Sequence, residues 1–365
     1  MDQKTRLKSL DALRGFDMLF IMGLAGWVVA FCNVLPACGF TEWLSTQMTH
    51  VEWNGLRHHD TIFPLFLFVA GISFPFSLAA QQAAGKTDSQ IIVKIIRRGL
   101  LLLLLGLIYQ GLLQFKFDTQ RYASVLARIG LAWMFAALLW RTFNTKTNII
   151  IAVAILIGYW LLMWLVPQST DPYSFENNLV GAIDRVLLPG RLYEKTFDPE
   201  GILSTLPAIV TALLGMFTGQ FVRLSTERFS GNKKTVWMLI AGVSLIVVGY
   251  LWSFAFPINK KLWTSTFVLV VAGYSVIMFA IFYYIIDVRG WSKYSLFFRV
   301  VGLNSITIYL AQRIIDFSKI NNFFFGGIIG KCPESLAPLI TSTGYIVVCW
   351  VFLYILYKQK IFLKV

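Results

Sequence analysis

Ten long apolar runs separated by polar stretches dominate the chain, at about 10–32, 61–82, 91–114, 123–141, 147–166, 203–222, 235–255, 264–286, 297–316 and 338–357. Each comes near the roughly 20 residues that a helix needs to cross about 30 Å of hydrocarbon. A backbone in lipid must satisfy its own hydrogen bonds, which leaves only helices and closed barrels. The period-2 alternation of barrel strands is absent, so the pattern predicts an all-α, polytopic integral membrane helix bundle with about ten transmembrane helices. The connections are short with one exception. Residues 167–202 are polar and rich in Asp, Glu, Tyr and Pro, and predict a small ordered extracytoplasmic cap. No heptad, solenoid repeat or low-complexity tract interrupts the pattern, so residues 1–365 read as a single transmembrane domain carrying that cap. The first run has a basic leader, but it also holds Asp11, Arg14 and Asp17, which a cleaved signal does not need. It is retained as the first helix.

Composition points the same way. With 57% hydrophobic and 14% charged residues over 365 positions, and a mean hydropathy of +0.68, a water-soluble fold could not hide its apolar surface. The net charge of +14 raises nucleic acid as a partner. Lys and Arg fall between the apolar runs, however, and form no basic face or binding motif, which argues against it. Read as topology, 19 of the 32 Lys and Arg lie in connections on the side of the N-terminus. Eleven lie on the opposite side, and Arg14 and Arg128 sit inside predicted helices. The bias predicts cytoplasmic N- and C-termini. Cys32, Cys38, Cys332 and Cys349 have no metal-ligand spacing. Cys38 and Cys332 both fall in predicted outer segments, where either a disulfide or unrelated thiols would fit.

All three histidines, His50, His58 and His59, lie in one predicted outer stretch, THVEWNGLRHHDTIFPLF. Histidine is the side chain best suited to accept a proton near neutral pH, so an acid or base at this face comes from this set. A zinc site lacks a completing Cys or Glu, and a solvated His-His pair is the plainer alternative. Asp60 opens the second helix, where it can cap the free N–H groups or orient and charge-stabilise His50. Asp11, Arg14 and Asp17 stand at successive i, i+3 positions and can neutralise one another, or face a polar cavity. Arg128 has no acid within a turn of its own helix and needs one from elsewhere, or an anionic ligand. Arg97 and Arg98, beside Lys94 at the cytoplasmic start of the third helix, are either topological anchors or a grip for ligand phosphates. In FDPEGILSTLPAI, Asp198 and Glu200 stand where a turn would use them, or where a cationic or hydroxyl-rich substrate would meet two carboxylates.

SLDALRGFDMLFIM, HVEWNGLRHHDTIFPLFLFVAGIS, RRGLLLLLLG, SVLARIGLAWM, FDPEGILSTLPAIVTALLGMFTG, INKKLWTSTFVL and GLNSITIYL follow one another along the chain. In this order they resemble the heparan-alpha-glucosaminide N-acetyltransferase family over nearly the whole membrane domain. The resemblance implies a bacterial member of that family, seated in the inner membrane. It implies transfer of an acetyl group from cytosolic acetyl-CoA to the amine of a glucosamine-type sugar or glycan on the far side, without a metal. The family's catalytic histidine precedes W-N-G-L by three residues, which is His50 here, and its aspartate before F-P matches Asp60. His58 and His59 match no required residue. One departure is IMGLAGW, where the family often has an Asn-containing stretch after the first helix core.

Chemistry agrees, because an ammonium must lose a proton before it attacks a thioester. His50 as general base and His50 as transient acyl carrier both fit. Asn54 and Asn304 are candidates for stabilising the oxyanion, Asp198 and Glu200 for holding the acceptor. Arg14, Arg97, Arg98 and Arg128 are the candidates for holding acyl-CoA. The alternative is a permease for an N-acetylglucosamine-type sugar, although the paired Gly/Pro helix interruptions of many transporters are not evident. Monomer and homodimer both remain open.

Overall fold

The computed structural model describes residues 7–363, so Lys4, Arg6 and Lys364 of the charge count lie outside the described residues. These residues form a polytopic helical membrane bundle. The first apolar run becomes α1 (Lys8–Leu19) and α2 (Ala25–Val34), joined through a π-helical turn at Phe20–Leu24. The short α3 (Gly39–Gln47) leads to the loop that carries His50. Then follow α4 (His58–Ala83), α5 (Asp88–Tyr109), α6 (Val125–Thr142) and α7 (Thr145–Leu165). The short α8 (Leu179–Leu187) precedes α9 (Thr205–Val222), α10 (Gly231–Trp252) and α11 (Ser265–Tyr283), the last running on in π form to Val288. The ninth run is broken into α12 (Leu296–Leu303) and α13 (Ser305–Ile314), and the chain ends with α14 (Phe317–Ile329) and α15 (Ala337–Lys358).

Among the described residues, eight helices are long and apolar enough to cross a membrane. The other two predicted runs correspond to α5 and to the α12–α13 pair. α5 carries Lys94, Arg97 and Arg98 in its first half, which dilutes its hydropathy. Between α12 and α13, Asn304 leaves helical geometry at φ −124° and ψ 29°, and a run of apolar letters does not reveal that.

Burial sorts the helices by position. In the apolar windows of α4 and α9, 67% of residues are buried, against 17% in α15, so α4 and α9 are central and α15 is peripheral. In lipid the hydrophobic effect does not drive helices together, and close packing does. The α1–α12 crossing shows this most sharply. A Cβ placed on Gly15 would stand 1.7 Å from the Phe298 carbonyl oxygen, and one on Gly302 1.8 Å from that of Asp11. The two backbones touch because neither residue has a side chain. All four cysteines are free, so the disulfide expected as one alternative for Cys38 and Cys332 does not form.

Candidate functional site

Three loops converge at the end of the bundle where α4 begins. The loop 51–57 turns at Gly55, whose φ of +119° lies where only glycine sits without strain. The Gly55 N–H donates to the Ile258 carbonyl at 2.8 Å, and Asn259 Nδ2 donates to Asn54 Oδ1 at 3.0 Å. These bonds seat the 256–264 loop on the His50 loop. From the other side, Trp53 Nε1 donates to the Tyr173 carbonyl at 2.9 Å, which ties in the 167–202 segment.

Asp60, in the first turn of α4, is the centre of this arrangement. Its Oδ2 accepts the backbone N–H groups of Arg57 (3.1 Å) and Val51 (3.2 Å), capping the helix and fixing the loop. Its Oδ1 faces His50 Nδ1 at 2.7 Å and Lys260 Nζ at 3.3 Å. The Asp60 side chain is only 2% exposed and that of His50 54%, so a buried carboxylate holds an accessible imidazole. With Nδ1 turned to a carboxylate, the proton is assigned to Nδ1 and the lone pair to Nε2.

The pair lies in the wall of a cavity of about 590 Å³, also lined by His59, Arg121, Glu200 and Lys260. That volume lies in the range of small-molecule sites. His59 packs its ring 4.5 Å from that of His50, so this histidine, outside the family resemblance, is part of the site. His58 turns away and meets the Tyr274 hydroxyl at 3.1 Å. By position alone Lys260 is one of the eleven charges of the predicted outer side. Burial pulls its ammonium below the usual lysine range, while Asp60 pulls the other way.

The carboxylates of FDPEG have separate tasks. Asp198 is fully buried and bidentate to Arg121, through Nε at 2.7 Å and Nη2 at 2.6 Å. Glu200 pairs with the same guanidinium from the cavity side. Burial alone lowers the Arg121 pKa, but Asp198 and Glu200 outweigh it and hold the group above the usual arginine value. Asp198 is therefore structural, and only Glu200 of this pair reaches the cavity.

The 167–202 segment folds around Asp184, whose carboxylate accepts the N–H groups of Asp198 (3.1 Å) and Ile202 (3.0 Å). Burial pushes the Asp184 carboxyl up to about 6. A carboxyl raised in the fold stabilises it below its unfolded value, near 4, and loses that contribution as pH rises through about 6. From pH 7.5 to 5 this segment should gain about 1 kcal/mol through Asp184. Hydrogen exchange over residues 179–202, corrected for intrinsic rates, should slow accordingly. Asp184→Asn should flatten that response.

The remaining candidates are dispersed. Asn54 is exposed, engaged with Asn259 and outside the cavity wall, and Asn304 donates to the Ile361 carbonyl at 3.2 Å. Neither asparagine is among the residues that line the His50 cavity. Arg128 is buried at the His50 end, on Ser204, the Gly201 carbonyl and the Trp263 ring. Its contacts there are not shared with Arg97 or Arg98. Those two also diverge, as neighbours on a helix must, being about 100° apart. Arg97 is exposed among Val93, Ile96, Leu100 and Leu104 on the outer surface of α5. Arg98 turns inward over the Trp133 ring at 4.2 Å, its Nε buried without a partner. Arg14 lies 3.5 Å from Asp11, donates to Ser73 Oγ at 2.5 Å and stands in the electrostatic field of Arg98. Ser73 is 13 residues beyond Asp60 on α4, about 20 Å along the axis. Two inward-facing arginines thus lie deep below the His50 cavity.

Fold and site define an integral membrane protein with an imidazole–carboxylate pair in the wall of a cavity at one end of a helical bundle. The chain belongs to the family described as "Heparan-alpha-glucosaminide N-acetyltransferase, catalytic", which residues 6–247 match. Similar relatives are the heparan-alpha-glucosaminide N-acetyltransferases of Homo sapiens and Mus musculus. The human protein is 27% identical over 419 residues, covering 99% of this chain and 60% of the relative. The mouse protein is 26% identical over 428 residues, with 99% and 62% covered. The chain thus spans about three fifths of the length of these curated relatives.

Proposed function

We propose that the chain is a membrane acetyltransferase that moves an acetyl group from acetyl-CoA, supplied from the cytosol, to the amine of a glucosamine-type sugar. Its termini lie in the cytoplasm and the His50 cavity opens on the far side. The observation that carries this reading is the buried Asp60 carboxylate holding an accessible His50 in the wall of a sugar-sized cavity, in a member of this family. His50 Nε2 takes a proton from the sugar ammonium, and the freed amine attacks the thioester carbonyl. The C–S bond breaks, the thiolate takes up a proton, and the net reaction releases one. Asp60 stabilises the imidazolium that forms. Glu200, paired with Arg121 at the cavity wall, is one of the carboxylates there, with Glu52 and Glu194, that the ammonium would meet. Arg14 and Arg98 would hold the phosphates, and the unpartnered Nε of Arg98 is an N–H donor that fits an anion.

The test uses purified protein in sealed vesicles that contain acetyl-CoA. External glucosamine should be acetylated while CoA remains inside, and Arg98→Gln should raise the donor KM several-fold where Arg97→Gln does not. Uptake of unmodified sugar, with no acetylation and no dependence on His50, would overturn the reading in favour of a permease.

A further inference from the structure

Lys260 has no role in the chemistry described so far, yet its ammonium stands 3.1 Å from His50 Nδ1 and 3.3 Å from Asp60 Oδ1. The three groups come from two loops and a helix start, Lys260 lying 210 and 200 residues from the other two, and the Gly55–Ile258 and Asn54–Asn259 bonds hold them together. Nδ1 cannot both donate to Asp60 and accept from an ammonium. The 2.7 Å contact with the carboxylate assigns the Nδ1 proton to Asp60. Lys260 is then a second donor to the same oxygen and a like-charged neighbour of any imidazolium.

We infer that Lys260 is a positioning residue that keeps His50 neutral and ready to accept a proton, by competing for Asp60 and by repelling the protonated ring. The inference rests on the proposed role of His50 as proton acceptor. Without Lys260, Asp60 would favour the imidazolium, and the base would be occupied by a proton before the substrate arrived. The transfer step creates that imidazolium only briefly, so an opposing cation also speeds the return of the proton to solvent.

Other charged groups around His50 do not duplicate this effect. On its own loop, Arg57 donates to the His50 carbonyl at 2.9 Å and to Thr49, which directs its charge away from the ring, and Glu52 lines the cavity. On α4, His59 packs against the ring and adds a second titratable imidazole. Across the cavity, Glu200 is engaged with Arg121, and Glu194 with Lys261 at 2.6 Å. Lys260 is the cation that shares an acceptor with His50.

The experiment measures the protonation of His50 directly. Diethyl pyrocarbonate modifies neutral imidazole, so its rate at His50, read by fragment-ion mass spectrometry across pH, gives the midpoint whether or not the protein is active. In folded Lys260→Met the midpoint should rise by about one pH unit or more, and in Lys260→Arg it should stay within a few tenths of the native value. Lys260→Gln serves as the neutral variant if Lys260→Met does not give monodisperse protein. The acid limb of kcat/KM for acetyl transfer should move by the same amount, a shift that a merely structural loss would not produce. A midpoint that stays put in both neutral variants would overturn the inference. A shifted midpoint in a protein that acetylates no amino sugar would support the tuning of His50 and reject the acetyltransferase reading instead.

Discussion

Replacing His50 by Ala should reduce acetyl transfer by about 10²–10⁴-fold, the usual contribution of a positioned general base, while the protein remains folded. Fold and chemistry separate cleanly here. The His50 side chain is 54% exposed, and truncating it removes little packing. Asp60 is not orphaned either, because it keeps the N–H groups of Arg57 and Val51 and the Lys260 ammonium. The measurement is turnover of acetyl-CoA with an amino-sugar acceptor, beside a thermal melt in the same detergent. Near-native turnover in a stable variant would remove His50 from the mechanism. Loss of turnover with a collapsed melt would assign it to the fold instead.

The largest effect on stability is expected at Arg121. Arg121→Met should cost about 3–5 kcal/mol, the usual penalty for breaking a buried pair from one side, because Asp198 would be left charged and fully buried. Two backbone donors, Glu200 N–H at 3.0 Å and Tyr193 N–H at 3.2 Å, would still reach Asp198, but neither carries a charge. The loss should show as a lower melting temperature and as faster proteolysis within residues 170–200, since Arg121 and its neighbour Gln120 anchor that segment. The Gln120 carbonyl accepts the Arg191 N–H at 3.0 Å. Arg121→Lys should recover only part of the stability, a point charge being a poor substitute for a bidentate fork. Replacing Arg121 and Asp198 together by apolar residues should recover more. Equal stability of native protein and Arg121→Met would show that the pair contributes nothing net.

How much of this could be read beforehand depends on the kind of constraint. An apolar run of about 20 residues has one common meaning in lipid, so the spans were legible to within a few residues: 10–32 became Lys8–Val34 and 61–82 became His58–Ala83. The break at Asn304 and the π turn after Leu19 were not, because hydropathy averages over backbone geometry. His50 and Asp60 were legible as a pair because they lie ten residues apart on one loop and the helix that follows. Lys260 and Arg121 look like topological charges in the sequence, since both lie in loops, where Lys and Arg are ordinary. Their partners lie 200 and 77 residues away in sequence, and only the folded chain brings them together. Arg97 and Arg98 look like a unit because adjacent letters look alike. On a helix, adjacency means divergence.

The contact between α1 and α12 has a consequence for how such a chain can drift over generations. At Gly15 and Gly302 even a methyl group would collide with a backbone carbonyl, and backbone has no rotamer with which to yield. Alanine is therefore as unwelcome there as tryptophan. On α15 and α10, by contrast, most positions lie outside the buried core, where one apolar residue serves nearly as well as another. Descendants of one ancestor can then exchange most of their hydrophobic letters and keep the architecture, provided the bare positions at the crossing stay bare. In such a lineage the residues with no side chain are the slowest clock.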